Sequence, residues 1–167
     1  QHDILLISED LKAGTSRNTG SDKQTYYKLT LSSDTPDSIY EMANTLFDGK
    51  CVDGDIALCE AALSVPSFLR LVELGVPFPV NRYGEYIGYK DDHDPRNRAT
   101  SVGPYTSREM TEVLEKQCRD YGIPTRDRLQ VIKILSDGER VYGLLCLDTD
   151  SFADFVLIKC PNVIWAT

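Results

Sequence analysis

The sequence predicts an α/β fold in which a parallel, helix-covered sheet is followed by a three-stranded antiparallel meander. Two observations carry this prediction. The first is a short strand, Ile4 to Ile7, that is apolar on both faces, as strands inside a parallel sheet are. The second is the pattern of strand, turn and strand from Arg126 onward, with Asp137-Gly138 as a hairpin turn. Amphipathic helices are predicted between the two.

The composition is that of an ordinary globular domain. Of the 167 residues, 41% are hydrophobic and 26% are charged, so we expect a single domain over residues 1–167. The formal net charge of -8 disfavours nucleic acids and anionic membranes, because both reward clustered Lys and Arg. No apolar run approaches the roughly 20 residues that span a bilayer. We therefore expect a cytoplasmic protein with no nucleic-acid partner and no membrane insertion.

The cysteines and histidines predict no metal site. Free cysteine among apolar neighbours behaves as a small hydrophobe, so we expect mostly buried thiols. The chain has no CxxC pair, and its two histidines, His2 and His93, are far apart in sequence. The cysteines are Cys51, Cys59, Cys118, Cys146 and Cys160.

Glu9 ends the first strand. A carboxylate at the carboxyl end of such a strand is where a dinucleotide-binding fold places the acid that hydrogen-bonds a ribose. In that fold the glycine-rich phosphate turn lies one strand and one helix upstream, roughly 20 residues before the acid. Only Gln1, His2 and Asp3 precede the strand here. We therefore expect a domain that lacks its first βα unit.

The segment from Lys12 to Thr25 is rich in glycine and hydroxyl residues and has almost no apolar side chains. This composition is typical of plain turns. It also offers hydroxyl donors and exposed amides, the groups that hold a pyrophosphate or the edge of a flavin ring. From the residues alone both interpretations stay open, and the plain turn is the more common of the two.

A first amphipathic helix is predicted after the loop at residues 32–35. Thr35 is expected to be its N-cap, with Pro36 at the first helical position and Asp37 favoured by the helix dipole. The apolar spacing ends near Gly49.

Two further helices are expected to follow. One begins at Asp53 or Asp55, and the next begins at Val65 or Pro66 and stops at Gly75. Their side chains are apolar nearly all round, which predicts burial against a neighbour.

The segment Asp91 to Arg98, DDHDPRNR, combines carboxylates with His93 and superficially suggests a metal or acid-base site. Pro95 interrupts it, and Arg96 and Arg98 can neutralise its charge. No nucleophile motif accompanies it. We therefore expect a solvated loop, with a hydrolase as the alternative interpretation.

The last helix is predicted over Ser101 to Tyr121, with Thr106 as N-cap and Glu109 completing a capping box. The helix ends at Gly122 and a strand follows, which together make half of a parallel crossover unit.

Four strands complete the prediction. Three form the meander, and the fourth is a short apolar strand at the end of the chain. They are Leu129 to Leu135, Val141 to Leu147, Phe155 to Lys159 and Asn162 to Thr167.

Three stretches of the sequence resemble the flavoprotein subunits of the succinate dehydrogenase and fumarate reductase family, which also includes L-aspartate oxidase and adenylylsulfate reductase. The first is Leu5-Leu6-Ile7-Ser8 leading to Gly14-Thr15-Ser16. The second is FLRLVELGVPF from Phe68 to Phe78, which is similar to a helix and turn of that family. The third runs from Gly122 through Val131 and Asp137-Gly138 to the Ile-Trp-Ala-Thr end. In order and over nearly the whole chain, they are specific for the family's FAD domain.

The resemblance implies a cofactor site and no catalytic residue in this chain. Ser8 and Glu9 would lie near the adenosine ribose, and Val131 would pair with the adenine edge through its backbone. Ala166 and Thr167 would approach the adenosine side. The residues near the pyrophosphate and flavin would be Thr15, Ser16, Thr19, Gly20 and Ser21.

The sequence departs from the family pattern in four respects. The glycine-rich turn, the two glycines that usually follow the final strand, and the capping domain are missing, and no His lies between Thr15 and Ser21 to link a flavin covalently. We therefore expect an inactive internal piece of an FAD-binding domain, whose parent oxidoreductase binds FAD non-covalently and whose isolated form binds it weakly or not at all. Its partners would be FAD, the rest of the parent and other copies of itself. The alternative is a binding or assembly module without flavin.

Overall fold

The computed structural model describes residues 3–31, 36–91 and 94–166. These residues form two compact units. Unit 1 combines Gln1–Ala13 with Cys118–Thr167, and unit 2 is Gly14–Gln117. The helices and strands are, in chain order, β1 (Leu6–Ile7), α1 (Thr15–Asn18), β2 (Tyr26–Tyr27), α2 (Ile39–Asp48), α3 (Gly54–Glu73), β3 (Ala99–Thr100), α4 (Thr106–Asp120), β4 (Thr125–Arg126), β5 (Leu129–Ser136), β6 (Val141–Asp148) and β7 (Phe155–Lys159). The predicted α/β class is confirmed.

Strand β1 of unit 1 pairs in parallel with β4, with Leu6 opposite Thr125. The prediction that the first strand pairs in parallel is thus confirmed, with β4 as its partner. The predicted burial of both faces of the strand is wrong, because Ile4, Leu5 and Leu6 are exposed and only Ile7 packs on the core of the unit. Within the described residues β4 is the only strand beside β1, so one edge of β1 lacks a neighbour.

The meander of unit 1 is confirmed as an antiparallel sheet in the order β5, β6, β7. Its turn is held by Asp137, whose carboxylate accepts hydrogen bonds from the backbone N–H of Glu139 and Arg140 at 3.0 and 2.8 Å. One face carries the core of the unit, in which Leu129, Leu144 and Cys146 are buried. A β-bulge between Val131 and Lys133 interrupts the β5–β6 register.

The predicted final strand is wrong for residues 162–166, which adopt no strand. Val163 packs on the core of unit 1, whereas Ile164 is 93% exposed and Trp165 is also exposed. A strand requires a neighbour to complete its hydrogen bonds, and no described strand pairs with this segment.

The two helices predicted between Asp53 and Gly75 are one continuous helix, α3, with Pro66 inside it. Its buried residues recur every three or four positions across the proline, which keeps one face against the rest of unit 2. They are Ala57, Ala61, Ser64, Phe68 and Leu71. Pro66 and Ala62 lie on the exposed face, where water can bond the Ala62 carbonyl that lacks an N–H partner. The expectation that α3 is buried all round is also wrong, since Ile56 and Leu63 are exposed.

Helix α2 begins later than predicted. Thr35 lies outside the described residues, and the N-cap is Ser38, whose Oγ accepts a hydrogen bond from the N–H of Glu41 at 3.1 Å. Pro36 and Asp37 precede the helix. Asp37 serves instead as the partner of a buried arginine, a pairing with a residue far away in sequence that local propensity cannot reveal.

Helix α4 lacks the predicted capping box. Thr106 is already helical and buried, and its Oγ1 donates to the Gly103 carbonyl at 2.7 Å while accepting from the N–H of Val102 at 3.1 Å. The N–H of Glu109 donates to the Tyr105 carbonyl. The hydroxyl therefore fixes the turn before the helix and does not serve the orphan amides of the first turn.

The thiols are less buried than expected. Cys146 is buried and Cys118 and Cys160 are half-buried, but Cys51 and Cys59 are exposed and none is oxidised to a disulfide. Across the described part of the chain, the helices include none with the length and apolar character needed to cross a bilayer.

Candidate functional site

The predicted cofactor residues are divided between the two units. Ser8, Glu9, Val131 and Ala166 belong to unit 1. The hydroxyl-rich group from Thr15 to Ser21 belongs to unit 2. Thr167 lies outside the described residues.

Ser8 and the edge of β5 are connected in unit 1. The Ser8 N–H donates to the Arg126 carbonyl, and the Ser8 carbonyl accepts from the N–H of Leu129, both at 3.0 Å. Leu129 pairs with Asp148 of β6, and Val131 pairs with Cys146. The backbone groups of these two β6 residues bond β7, which is the strand on the other side of β6. Because backbone groups alternate in direction along an antiparallel strand, the N–H and C=O of Val131 point to the same free edge of β5 as those of Leu129. That edge has no strand beside it in the described residues.

Glu9 follows Ser8 at the carboxyl end of β1 and is exposed. Within the described residues its carboxylate has no hydrogen bond or ion pair. It lines a cavity of about 440 Å³ together with Asp10, Ala13, Arg128, Thr149 and Phe152. The cavity thus offers a carboxylate that is free to accept hydrogen bonds from a ligand.

Arg128 supplies the positive charge of this cavity. Its guanidinium is half exposed and lies 3.7 Å from both the Asp10 and the Asp150 carboxylates, too far for a tight ion pair. Arg128 and Phe152 have φ angles of 60° and 52°, a left-handed conformation that is unusual for non-glycine residues. Hydrogen bonds hold the segment, since the Thr149 N–H donates to the Arg128 carbonyl at 2.9 Å and the Phe152 N–H to the Asp148 carbonyl at 2.8 Å.

Thr149 also lines this cavity. Its Oγ1 is buried and has no hydrogen-bond partner in the described part of the chain. Buried hydroxyls are normally satisfied, so a bound water is the expected partner of this one.

Sequence reasoning did not find Arg128, Thr149 or Phe152. The left-handed conformations and the unpaired hydroxyl result from the way the end of β6 returns beside the start of β5. Only the polar run Thr125-Arg126-Asp127-Arg128 before the meander hinted at a turn there.

The hydroxyl-rich loop of unit 2 is an ordered segment that contains the one-turn helix α1. Gly14 precedes it with φ of 94°, a conformation that favours glycine. The Thr19 hydroxyl donates to the Thr15 carbonyl at 2.7 Å, and the Ser21 Oγ accepts from the Lys23 N–H at 3.1 Å. The hydroxyls of Thr15 and Ser16 are exposed.

Helix α4 anchors this loop within unit 2. The Arg17 guanidinium pairs with Glu115, and the Arg17 carbonyl accepts from the Arg108 Nε at 2.9 Å. Gly20 lies against Tyr105 so closely that an added Cβ would come within 2.4 Å of the ring. A side chain at position 20 would therefore displace the Tyr105 ring, so packing favours glycine here.

The charged segment from Asp91 to Arg98 is not the solvated loop that was predicted. Arg98 and Asp94 are buried. The Arg98 guanidinium bonds both oxygens of Asp37 at 2.7 and 2.8 Å, and it lies 3.3 Å from Asp94. Arg96 pairs with Glu41 at 2.7 Å. Asp92 and His93, on which the hydrolase alternative depends, lie outside the described residues.

Ala166, the remaining predicted residue of unit 1, is exposed and makes no described hydrogen bond. The described residues also include no group of three or more His, Cys, Asp or Glu arranged to hold a metal ion.

Comparison with known proteins places the fold. No family model and no curated protein sequence matches the chain. Among solved structures, the chain is similar to Escherichia coli quinol fumarate reductase FrdA, with a TM-score of 0.74 and 19% identity. It is also similar to Mycobacterium smegmatis Sdh1, with a TM-score of 0.73 and 16% identity, and to a 3-ketosteroid dehydrogenase from Rhodococcus jostii RHA1, with a TM-score of 0.70 and 16% identity.

The similarity extends over 94% of this chain for the first two structures and 93% for the third. The chain spans 26%, 28% and 38% of those proteins, respectively. At these identities the comparison establishes the fold. The predicted resemblance to the fumarate reductase and succinate dehydrogenase flavoproteins is therefore confirmed at the level of the fold.

Proposed function

We propose that this chain is an internal part of the FAD-binding domain of a flavin-dependent oxidoreductase, and that it holds the adenosine half of the cofactor. The parent would transfer a hydride between non-covalently bound FAD and a small acid substrate, with the flavin supplying the redox chemistry. In this proposal the unit 1 residues form part of a Rossmann-like domain without its first βα unit. The cytoplasmic location expected from the sequence stays a prediction.

The arrangement around Glu9 carries the proposal. A free carboxylate follows a strand of a parallel pair, where a ribose is bound in dinucleotide-binding folds. On the free edge of β5, the Val131 N–H and C=O present a donor and an acceptor, as an adenine edge requires. Arg128 adds a cation that a nucleotide can use. These features support an adenosine site built from unit 1.

The unit 2 loop is proposed to serve the pyrophosphate and flavin half. The exposed Thr15 and Ser16 hydroxyls can donate hydrogen bonds, and Thr19, Gly20 and Ser21 shape the loop that carries them. No glycine-rich phosphate turn is present in the sequence, so the charge of the pyrophosphate lacks the helix N-terminus that usually offsets it. The isolated 167-residue chain is accordingly expected to retain little flavin and to be inactive.

Flavin binding by a longer parent protein tests the proposal. Replacing Glu9 by Ala should raise the Kd of FAD about 10- to 100-fold, because a charge-assisted hydrogen bond contributes roughly 1.5–3 kcal/mol. Glu139→Ala in the β5–β6 turn is the matched control and should leave the Kd unchanged. A parent that binds FAD equally well with and without Glu9 would contradict the assigned role.

The isolated chain provides a second test. If the purified 167-residue protein carries yellow flavin at near one equivalent, the expectation of weak binding is wrong. If a well-folded longer protein with the missing strand and glycine loop binds none, the FAD assignment itself fails.

An assembly module without flavin is the second candidate. The exposed apolar residues of unit 1 favour it, namely Ile4, Leu5, Leu6, Ile164 and Trp165. The flavin absorbance spectrum of the purified parent separates the two candidates, since only the first predicts bound cofactor.

A further inference from the structure

Strand β7 at the edge of the meander has one unpaired side. The Asp148 N–H donates to the Asp154 carbonyl at 2.9 Å, and the Cys160 N–H donates to the Tyr142 carbonyl at 3.1 Å. Even-numbered residues of β7 therefore bond β6, and the backbone groups of the odd-numbered residues point the other way. These residues are Phe155, Leu157 and Lys159, and nothing in the described part of the chain bonds their N–H or C=O groups.

The same three residues have their side chains on the outer face of the sheet. Phe155 and Leu157 are exposed, while the alternate residues Val156 and Ile158 pack on the core of unit 1. Natural sheets usually protect an edge with charges, prolines or bulges. Here Lys159 and Pro161 stand at one end only, so the middle of β7 is both apolar and unpaired.

We propose that β7 binds β7 of a second copy of this chain, forming a symmetric antiparallel dimer through a continuous sheet. Leu157 of one copy then faces Leu157 of the other across the two-fold axis. Phe155 of each copy faces Lys159 of the other, and each facing pair exchanges two backbone hydrogen bonds. Every unpaired donor and acceptor of the three residues is satisfied in this register.

The side chains of β7 favour this occupant and register. A Lys ammonium beside a Phe ring is an attractive cation–π pair, and the two leucines form an apolar contact at the centre. Slipping by two residues in one direction puts Lys159 opposite Leu157 and Phe155 opposite Pro161, which has no N–H to donate. A slip of four residues in that direction puts Lys159 opposite Lys159, which is repulsive. Slipping in the other direction leaves Lys159 without a facing residue in the strand. The free edge of β7 is thus complementary to the same edge of a second, antiparallel copy.

Sedimentation equilibrium of the 167-residue chain, up to high micromolar concentration, tests the proposal. We expect a reversible dimer that Leu157→Lys dissociates, with the Kd raised by roughly tenfold or more because two ammonium groups meet at the axis. Ile132→Lys is the matched control: Ile132 is 51% exposed on β5, the other edge strand, against 56% for Leu157. This variant should dimerise like the wild type.

A pair of substitutions at Phe155 tests the register. Phe155→Glu should keep the dimer, because the carboxylate faces Lys159, whereas Phe155→Lys should dissociate it. Far-UV circular dichroism verifies that each variant is folded. A chain that stays monomeric, an Ile132→Lys variant that dissociates as much as Leu157→Lys, or equal effects of the two Phe155 variants would overturn the proposal. None of these outcomes involves flavin, so the cofactor proposal stands or fails separately.

Discussion

Arg98 is the residue on which the buried polar cluster of unit 2 depends. Besides Asp37 and Asp94, its guanidinium bonds the Tyr27 hydroxyl at 3.1 Å and Thr45 Oγ1 at 3.0 Å. Burial alone would raise the pKa of Asp37, but Arg98 and two backbone N–H groups hold that pKa below its usual value. Burial raises the pKa of Tyr27 to about 12, helped by the hydrogen bond that the Tyr27 hydroxyl donates to Asp94 and opposed by Arg98. At neutral pH Asp37 is therefore ionised and Tyr27 is neutral, as the cluster around Arg98 requires.

Removing Arg98 should be severely destabilising. Arg98→Met leaves two buried carboxylates without their cation, which costs about 3–5 kcal/mol in the free energy of unfolding. The Asp37 contribution is present at neutral pH and is lost as the pH falls through the lowered pKa of this carboxyl, which lies below 3.8. Urea denaturation as a function of pH measures both effects.

Arg96→Met is the control for this substitution. Arg96 and Glu41 are about one-third exposed, so breaking their pair should cost at most about 1 kcal/mol. Equal losses for the two variants would show that the Arg98 cluster is not a buried network in solution.

Lys28 is a buried charged residue that the sequence analysis left unremarked. It is fully buried, its Nζ lies 4.8 Å from the centroid of the Phe68 ring, and its nearest hydrogen-bond acceptor is the Leu29 carbonyl at 3.5 Å. Burial lowers the pKa of Lys28 to about 8 from 10.5. At neutral pH the protein therefore buries a poorly compensated ammonium group.

Lys28→Met should stabilise the protein at pH 7 by roughly 2 kcal/mol, because it removes the buried charge and keeps an apolar chain. Above pH 8 the unfolded chain binds more protons at this site than the folded chain, so the stability contributed by wild-type Lys28 rises until about pH 10.5. The advantage of the variant should shrink over that interval. Guanidinium denaturation at several pH values measures the difference.

Lys90→Met is the control for Lys28→Met. Lys90 is exposed, so its replacement should change the free energy of unfolding by less than about 0.5 kcal/mol. A Lys28→Met protein that is less stable at pH 7, or an advantage that is independent of pH, would contradict the assigned cause.

At the scale of elements, α3 shows how packing overrides a local signal. Pro66 follows Val65 in a pattern that predicts a helix start, yet the buried stripe from Ala57 to Leu71 continues through it. The helix accommodates Pro66 because its missing hydrogen bond falls on the exposed face.

Replacing Pro66 by Ala should therefore stabilise the protein by about 1–3 kcal/mol, since proline inside a helix is disfavoured by about 3 kcal/mol relative to alanine. If Pro66 began a helix, the same change would be neutral or destabilising. Glu60→Ala, at another exposed position of α3, serves as the control. Thermal and urea unfolding of the three proteins distinguish the two structures.

The meander is the element that local sequence signals predict best. Alternating apolar residues and the Asp137-Gly138 turn fix its strands and the faces that pack on the core. The unpaired edges of β5 and β7 follow only from the strand order. For that reason the free backbone groups of Val131 and the self-complementary edge of β7 can be recognised only from the tertiary structure.

At the scale of the whole molecule, the chain forms two compact units, and unit 1 is assembled from both chain ends. The sequence predicts a single domain. Because unit 1 needs segments that lie on either side of unit 2 in sequence, we expect the two to unfold in one transition.

Two probes test this expectation. Far-UV circular dichroism is dominated by the helices of unit 2, and the fluorescence of Trp165 reports on unit 1. The two urea transitions should coincide. Separated midpoints would show that the units are independent domains.

The sequence by itself determined the α/β class, the parallel pairing of the first strand, the meander and the resemblance to flavoproteins, because these depend on local periodicity, turn residues and short motifs. It also identified Glu9 as a carboxylate at the end of a strand. Tertiary structure decided which charges are buried, that α3 is one helix, and which of the apolar strand residues remain exposed. It alone brought Arg128 and Thr149 beside Glu9, since contacts between residues far apart in sequence depend on how the strands return and pack, which no local pattern encodes.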